Sequence, residues 1–358
     1  MGTTADKLAK LNATKADLKA ALAEKGQTVE DVFSTYPAAV RAISGSAPNG
    51  RAWTQSNIKA GAFSALCYAN GLWVAGSGDG KGIYYSLDGK AWIQSNVSTV
   101  ILNKVRYSDG LWIACTNGSG IFLSEDGKVW RQGNLVDGNV KDVCKGNGLW
   151  VAAGFRLYYS TDGNTWAEGT TGASFETVYY GNGLWVAGGT HGVGIYFSEN
   201  GKTWEKGSLT MGDEFGIVSC LSYADGLWVA GVCFNGIYCS VDGKTWVLGQ
   251  EFVNDVFTVL YKANGLWVAS GDYSGTLYSV DGKSWTVSND GLKVLSIYNN
   301  SGIWISAIET DGIYYSIDGK TWERTDGKME TNVVHNDSGL WVAGTARTGL
   351  YYSPTWEP

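Results

Sequence analysis

Asn70-Gly71-Leu72-Trp73-Val74-Ala75-Gly76, followed by Gly82-Ile83-Tyr84-Tyr85-Ser86 and the turn Asp88-Gly89-Lys90, decides how this chain folds, because it comes back. Its Gly-Leu-Trp centre, once as Gly-Ile-Trp, returns with the tryptophan at Trp73, Trp112, Trp150, Trp185, Trp228, Trp267, Trp304 and Trp341, spaced 35 to 43 residues apart. A period of this length, made of short β-rich phrases and glycine turns, marks an array whose units each form one small sheet. Asn-Gly or Asp-Gly between apolar runs is a hairpin signal, since both residues tolerate a positive φ. Each unit therefore reads as four short strands. The first ends in the apolar residue seven places before the tryptophan (Leu66, Val105, Val143, Val178, Leu221, Leu260, Ile297, Val334). Leu-Trp-Val-Ala is the second, Ile-Tyr-Tyr-Ser the third, and Lys-Thr-Trp, after an Asp-Gly turn, the fourth. The pattern predicts an all-β chain: an eight-bladed β-propeller of four-stranded blades over residues 46–358, with a small N-terminal α-helical segment.

The ends of the repeat predict a ring. Asn49-Gly50-Arg51-Ala52-Trp53 reads like Asp88-Gly89-Lys90-Ala91-Trp92, a fourth strand standing before the first full unit. At the other end Gly349-Leu350-Tyr351-Tyr352-Ser353 runs into Pro354-Thr355-Trp356 without the Asp-Gly-Lys turn. A strand around Trp53 that completes the last blade explains both and removes the open edges of a linear array. Trp356 is the alternative source of that strand.

Residues 1–45 are different in kind: rich in Ala, Lys, Leu and Asp, and without tryptophan. Thr14-Lys15-Ala16-Asp17 resembles a helix-capping box, with Leu18, Ala21 and Leu22 at helical spacing and Gly26 as a stop. Three or four short helices are expected, serving as an attachment or oligomerisation module, or else as a cap on the propeller. The net charge of −7 and the lack of any basic run argue against a nucleic-acid partner. No apolar stretch is long enough to insert in a membrane, and the opening Met-Gly-Thr-Thr-Ala-Asp has no signal-peptide character. The six cysteines follow no metal or redox spacing. Cys67 and Cys144 share a slot six residues before the tryptophan, where other units carry Arg106, Tyr179 or His335, so they read as reduced structural thiols. A Cys233–Cys239 bridge across one hairpin is the alternative. The sequence calls for no cofactor and no metal.

Antiparallel order puts the first–second and third–fourth turns on one face of the disc and the other two loops on the opposite face. The first set is nearly constant between units. The second runs from Gly154-Phe155-Arg156 to Gly188-Gly189-Thr190-His191-Gly192-Val193, and is longest from Glu205 to Gly216. Loops free of a common turn duty can build an asymmetric site, so ligand contact is expected on the variable face. All 17 tryptophans fall on repeat positions and read as packing between blades. Unique contacts must come from elsewhere. Phe155, His191, Asp213, Glu214, Phe215, Phe234, Asn235, Phe252, Asn254, Asp255 and Tyr273, mostly around blades 4 to 6, are the candidates for a shallow polar–aromatic site.

Catalysis finds little support in the residues. Ser240-Val241-Asp242-Gly243-Lys244-Thr245-Trp246 resembles the Asp-box of sialidase-like propellers, one residue shorter between aspartate and tryptophan. In that family the box is a structural hairpin. The resemblance supports the fold, while the three convergent arginines of a sialidase are hard to assemble from seven arginines, two of which precede the ring. Asp213 or Glu214 with Glu251 or Asp255 is the one carboxyl pairing that suggests glycoside cleavage. Finally, Asn12-Ala13-Thr14-Lys15-Ala16-Asp17-Leu18-Lys19-Ala20-Ala21-Leu22, continuing through Glu24-Lys25-Gly26 to Thr35-Tyr36-Pro37 and Ile43, resembles N-terminal segments of phage and prophage tail and baseplate-associated proteins. The repeat looks like the propellers of such proteins. The resemblance implies a virion tail protein, assembled in the bacterial cytoplasm, whose residues 1–45 engage other tail proteins. Its propeller would then be a non-enzymatic adhesin for host cell-surface carbohydrate, with avidity if the helices oligomerise. A purely protein-binding propeller and a polysaccharide-cleaving enzyme are the rival readings.

Overall fold

The computed structural model describes residues 15–21, 23 and 52–354, apart from 137, 210–215, 290–292, 301, 326–328 and 338. Residues 15–21 and 23 are helical, beginning where the capping box places a helix; the other expected helices of residues 1–45, and Trp356, lie outside the described residues. The rest forms eight antiparallel sheets, the blades of a propeller. Blade 1 runs through Phe63–Ala69, Leu72–Ser77, Ile83–Ser86 and Ile93–Gln94. Blades 2 to 7 repeat this order around Trp112 to Trp304. Blade 8 takes Thr331–Asp337, Leu340–Thr345 and Leu350–Pro354 from its own unit and its fourth strand, Thr54–Gln55, from the start of the ring. Thr54 pairs with Tyr352 and Gln55 with Tyr351, antiparallel, so the strand after Trp53 closes the circle. First strands of successive blades approach one another all the way round, blade 8 to blade 1 included, which puts them innermost.

The first strands extend three residues beyond the apolar position at which the pattern ends them: Phe63–Ala69 continues past Leu66 through Cys67 and Tyr68 to the turn. The pattern stops short because these inner-rim residues differ in type from blade to blade. The turn that follows is of the predicted kind. Asn70, Asp109, Asn147, Asn182, Asp225 and Asn264 hold φ between 46° and 51°, each before a glycine with positive φ. Blade 2 adds a two-residue strand, Gly138–Asn139, on the end of Leu111–Gly118.

Alternation along the second strand builds the core. Trp73 and Ala75 face Leu340, Val342 and Leu350 of blade 8, while Leu72 and Val74 face Leu102, Val105 and Trp112 of blade 2. The same interleaving recurs between the other blades, and all eight second-strand tryptophans are fully buried. Gly89 must be glycine twice over: its φ is +68°, and a Cβ there would come 2.4 Å from Leu340 Cδ2. A polar clamp ties the blades at the outer rim. The Trp92 N–H donates to Asn57 Oδ1 and Asn57 Nδ2 donates to the Trp92 carbonyl, both at 2.8 Å. Asn96 and Trp130 repeat the pair.

Candidate functional site

The constant face is occupied by its own turns. Ser86 Oγ donates to Asp88 Oδ1 (2.9 Å) and accepts from the Gly89 N–H (2.9 Å); Asp88 Oδ1 also accepts from the N–H groups of Lys90 and Ala91 (2.8 Å each). The indole N–H of Trp92 donates to the Gly89 carbonyl at 3.0 Å. Blades 2, 3, 5, 6 and 7 repeat this serine–aspartate network. At Asp162 the Thr165 amide first, then the Asn164 amide and Ser160, hold the carboxyl down to about 2. At Asp242 and Asp318 partial burial works upward and similar donors overcome it, again to about 2. These aspartates are turn formers, as their spacing predicts. A cleft of about 300 Å³ beside the blade 2 turn is walled by Leu111, Leu123 and Trp130, members of the repeated packing surfaces, together with Asp126 and Arg131.

On the variable face the structure gathers part of the predicted set. Phe234 stands at φ 59° in the loop between the second and third strands of blade 5, and its N–H donates to the Asp255 carbonyl at 2.6 Å. The Phe252 N–H donates to the Asn235 carbonyl, and the Asn235 side-chain oxygen accepts from Tyr238 OH at 2.6 Å. Phe252 packs edge-on against Phe257 with centroids 5.7 Å apart. Asp255 is 2% exposed, and its carboxylate accepts from the N–H groups of Val256, Tyr273 and Ser274 at 3.0 Å each. It fastens the loops of blades 5 and 6 together and is consumed by that task. What reaches solvent is Phe234 at 48% exposure, Tyr273 at 70%, and the exposed Asn254. Phe155 and His191 are exposed on the corresponding loops of blades 3 and 4 and join no bond to this cluster among the described residues. Asp213, Glu214 and Phe215 lie outside the described residues.

The sequence reading missed a neighbouring polar group. Lys293 Nζ lies 3.4 Å from Asp272 and 3.0 Å from Glu309, joining loops of blades 6 and 7. Burial pushes the Asp272 carboxyl up; Lys293 opposes it, and Glu309 and Asp255 add to it. Asp272 and Glu309 share the slot five residues after the second-strand tryptophan, but other blades fill it with Gly78, Phe155 or Cys233, so no common residue type marks it. All six cysteines are free, including Cys233 and Cys239. Among the described residues there is no group of three metal-ligating side chains, and no helix is long and apolar enough to cross a membrane.

No protein-family model and no curated protein sequence matches the chain. Solved structures do resemble it. The Dos1 propeller superposes with a TM-score of 0.67 at 9% identity, over 84% of this chain and 93% of that one. YCF48 bound to D1 peptide gives 0.55 at 12%, over 87% and 96%. A GH74 enzyme of Niastella koreensis gives 0.52 at 15%, over 79% of this chain and 47% of the larger enzyme. At these identities the likeness is one of fold, and propellers of this shape serve more than one purpose.

Proposed function

We propose that this chain is a non-enzymatic binding propeller whose variable face contacts cell-surface carbohydrate. The observation that carries the reading is the exposed aromatic pair Phe234 and Tyr273, with Asn254 beside it, on loops that Asp255 and Phe252 hold in place. An aromatic face stacks on the C–H face of a sugar ring, and a side-chain amide satisfies its hydroxyls. Positioning by buried bonds lowers the entropy lost on binding. The tail-protein reading belongs here as well: residues 1–45 attach the propeller to other virion tail proteins or to copies of itself, and many weak sites then act together.

Protein binding is the second reading. Val253, next to Asn254 on the same loop, is 55% exposed and suits an apolar partner better than a sugar. The peptide-bound YCF48 propeller shares the fold and lends the idea plausibility. A glycan array decides between the two. Binding to a defined glycan class, lost in Phe234→Ala and Tyr273→Ala, supports the adhesin. Silence on every glycan, with retained capture of tail proteins, supports the protein-binding reading. Release of reducing sugar from cell-wall polysaccharide would make the chain an enzyme instead.

A further inference from the structure

We propose that the propeller axis is a second binding site, for a small organic carboxylate held by Arg106 opposite an arc that includes Tyr179, Tyr261, Tyr298 and His335. Each blade places one first-strand residue, six before its tryptophan, on the inner rim facing the next blade. In blades 6, 7 and 8 these are Tyr261, Tyr298 and His335. Tyr261 and Tyr298 stack with centroids 6.0 Å apart and planes at 27°, and Tyr298 meets His335 at 4.5 Å. Each ring sets itself edge-on to the tryptophan of the following blade: Tyr261 to Trp304 at 6.0 Å, Tyr298 to Trp341 at 6.2 Å, His335 to Trp73 at 5.7 Å. Tyr179 does the same to Trp228 at 6.1 Å. Tyr261 pairs with Val268 and Tyr298 with Ile305 in the register in which Tyr179 pairs with Val186 and Cys67 with Val74, so all four hold one equivalent place on the inner rim.

Arg106 is the cation of the ring. Its charge reaches Cys67, Cys144, Tyr179 and His335, on blades 1, 3, 4 and 8. Arg106 pairs with Ile113 in the register in which Tyr179 pairs with Val186, Tyr261 with Val268 and His335 with Val342, which gives it the same inner-rim place on the innermost strands. Arg106 is exposed there, and among the described residues it makes no hydrogen bond or ion pair. Lys104, two residues earlier on the same strand, has Asp142 at 3.9 Å to cover its charge. The surroundings supply donors. Burial pushes Tyr298 up to about 12 and raises Tyr179 and Tyr261, so the phenols keep their protons. Burial brings His335 down to about 4, against Asp337 and with Arg106, which leaves it neutral at pH 7. A guanidinium fork among neutral O–H and N–H donors matches a carboxylate. Asp337, whose charge reaches Tyr298 and His335, disfavours a phosphate dianion in the same place.

The test is calorimetric titration of the full chain with glucuronate, with glucose and with inorganic phosphate. Glucuronate is expected to bind while glucose does not, phosphate to bind more weakly, and Arg106→Gln to weaken glucuronate by at least about tenfold. Arg106→Lys retains part of the affinity, and Tyr298→Phe loses less than Arg106→Gln; these two decide the matter if near-ultraviolet circular dichroism shows Arg106→Gln to be unfolded. Tyr273→Ala leaves glucuronate binding unchanged, which separates the axis from the loop site. The proposal is overturned by an absence of glucuronate binding, by equal affinity in Arg106→Gln, by phosphate binding as tightly, or by loss of glucuronate in Tyr273→Ala.

Discussion

At the scale of the residue, the turn aspartates couple stability to pH. Their carboxyls sit near 2 in Asp162, Asp242 and Asp318, below the value of about 4 of an unfolded chain. Between those limits the unfolded chain binds more protons than the folded one. The stabilisation is complete above about pH 4 and is lost as pH falls toward 2. Blade 4 shows how to remove the effect: Asn200 holds the same turn, its Oδ1 accepting from Lys202 and Thr203. The triple variant Asp162→Asn, Asp242→Asn, Asp318→Asn should fold normally and show a flatter fall in urea midpoint between pH 5 and pH 2. Gly89→Ala should cost about 2 kcal/mol or more in urea denaturation, since the residue needs both its positive φ and its missing Cβ. Residue identity was legible in the sequence where the repeat imposes a role, as at Gly89 and Asp162. It was not legible at Asp255, a loop carboxylate whose three backbone N–H partners no periodicity encodes.

At the scale of the element, the blade is a sheet whose two faces serve two neighbours, and its strands were legible because turn chemistry and alternation agree. The clamp between blades was not. It depends on a side chain four residues after each fourth-strand tryptophan, and that position changes from Asn57, Asn96 and Asn134 to Thr170, Ser208 and Gln250. One bond to the tryptophan N–H survives each change, so the function is kept while the letter varies. Asn96→Ala removes both bonds to Trp130 and should lower unfolding free energy by about 1–3 kcal/mol, because the Trp130 backbone N–H and carbonyl lose their side-chain partner. Asn96→Thr should recover part of that loss, as Thr170 does in blade 4.

At the scale of the molecule, the ring is closed by a strand borrowed from the chain's beginning. Deleting residues 1–45 should leave a folded, monomeric propeller. Deleting through Asn57 should lower the melting temperature and promote association by baring the outer edge of Leu350–Pro354, as melting curves and light scattering would show. The sequence makes this closure visible because a surplus strand at one end matches a deficit at the other. The proposed binding face was legible only as the face that varies. Which loop residues meet in space was not, since loops without a common pattern meet through bonds such as Phe234 to Asp255, which no periodicity encodes. The central claim is that binding belongs to this variable face. A crystal structure of the propeller with the glycan selected on the array tests it most directly. The account predicts ligand density against Phe234 and Tyr273, within reach of Asn254. Density confined to the Asp-Gly turns of the opposite face would contradict it.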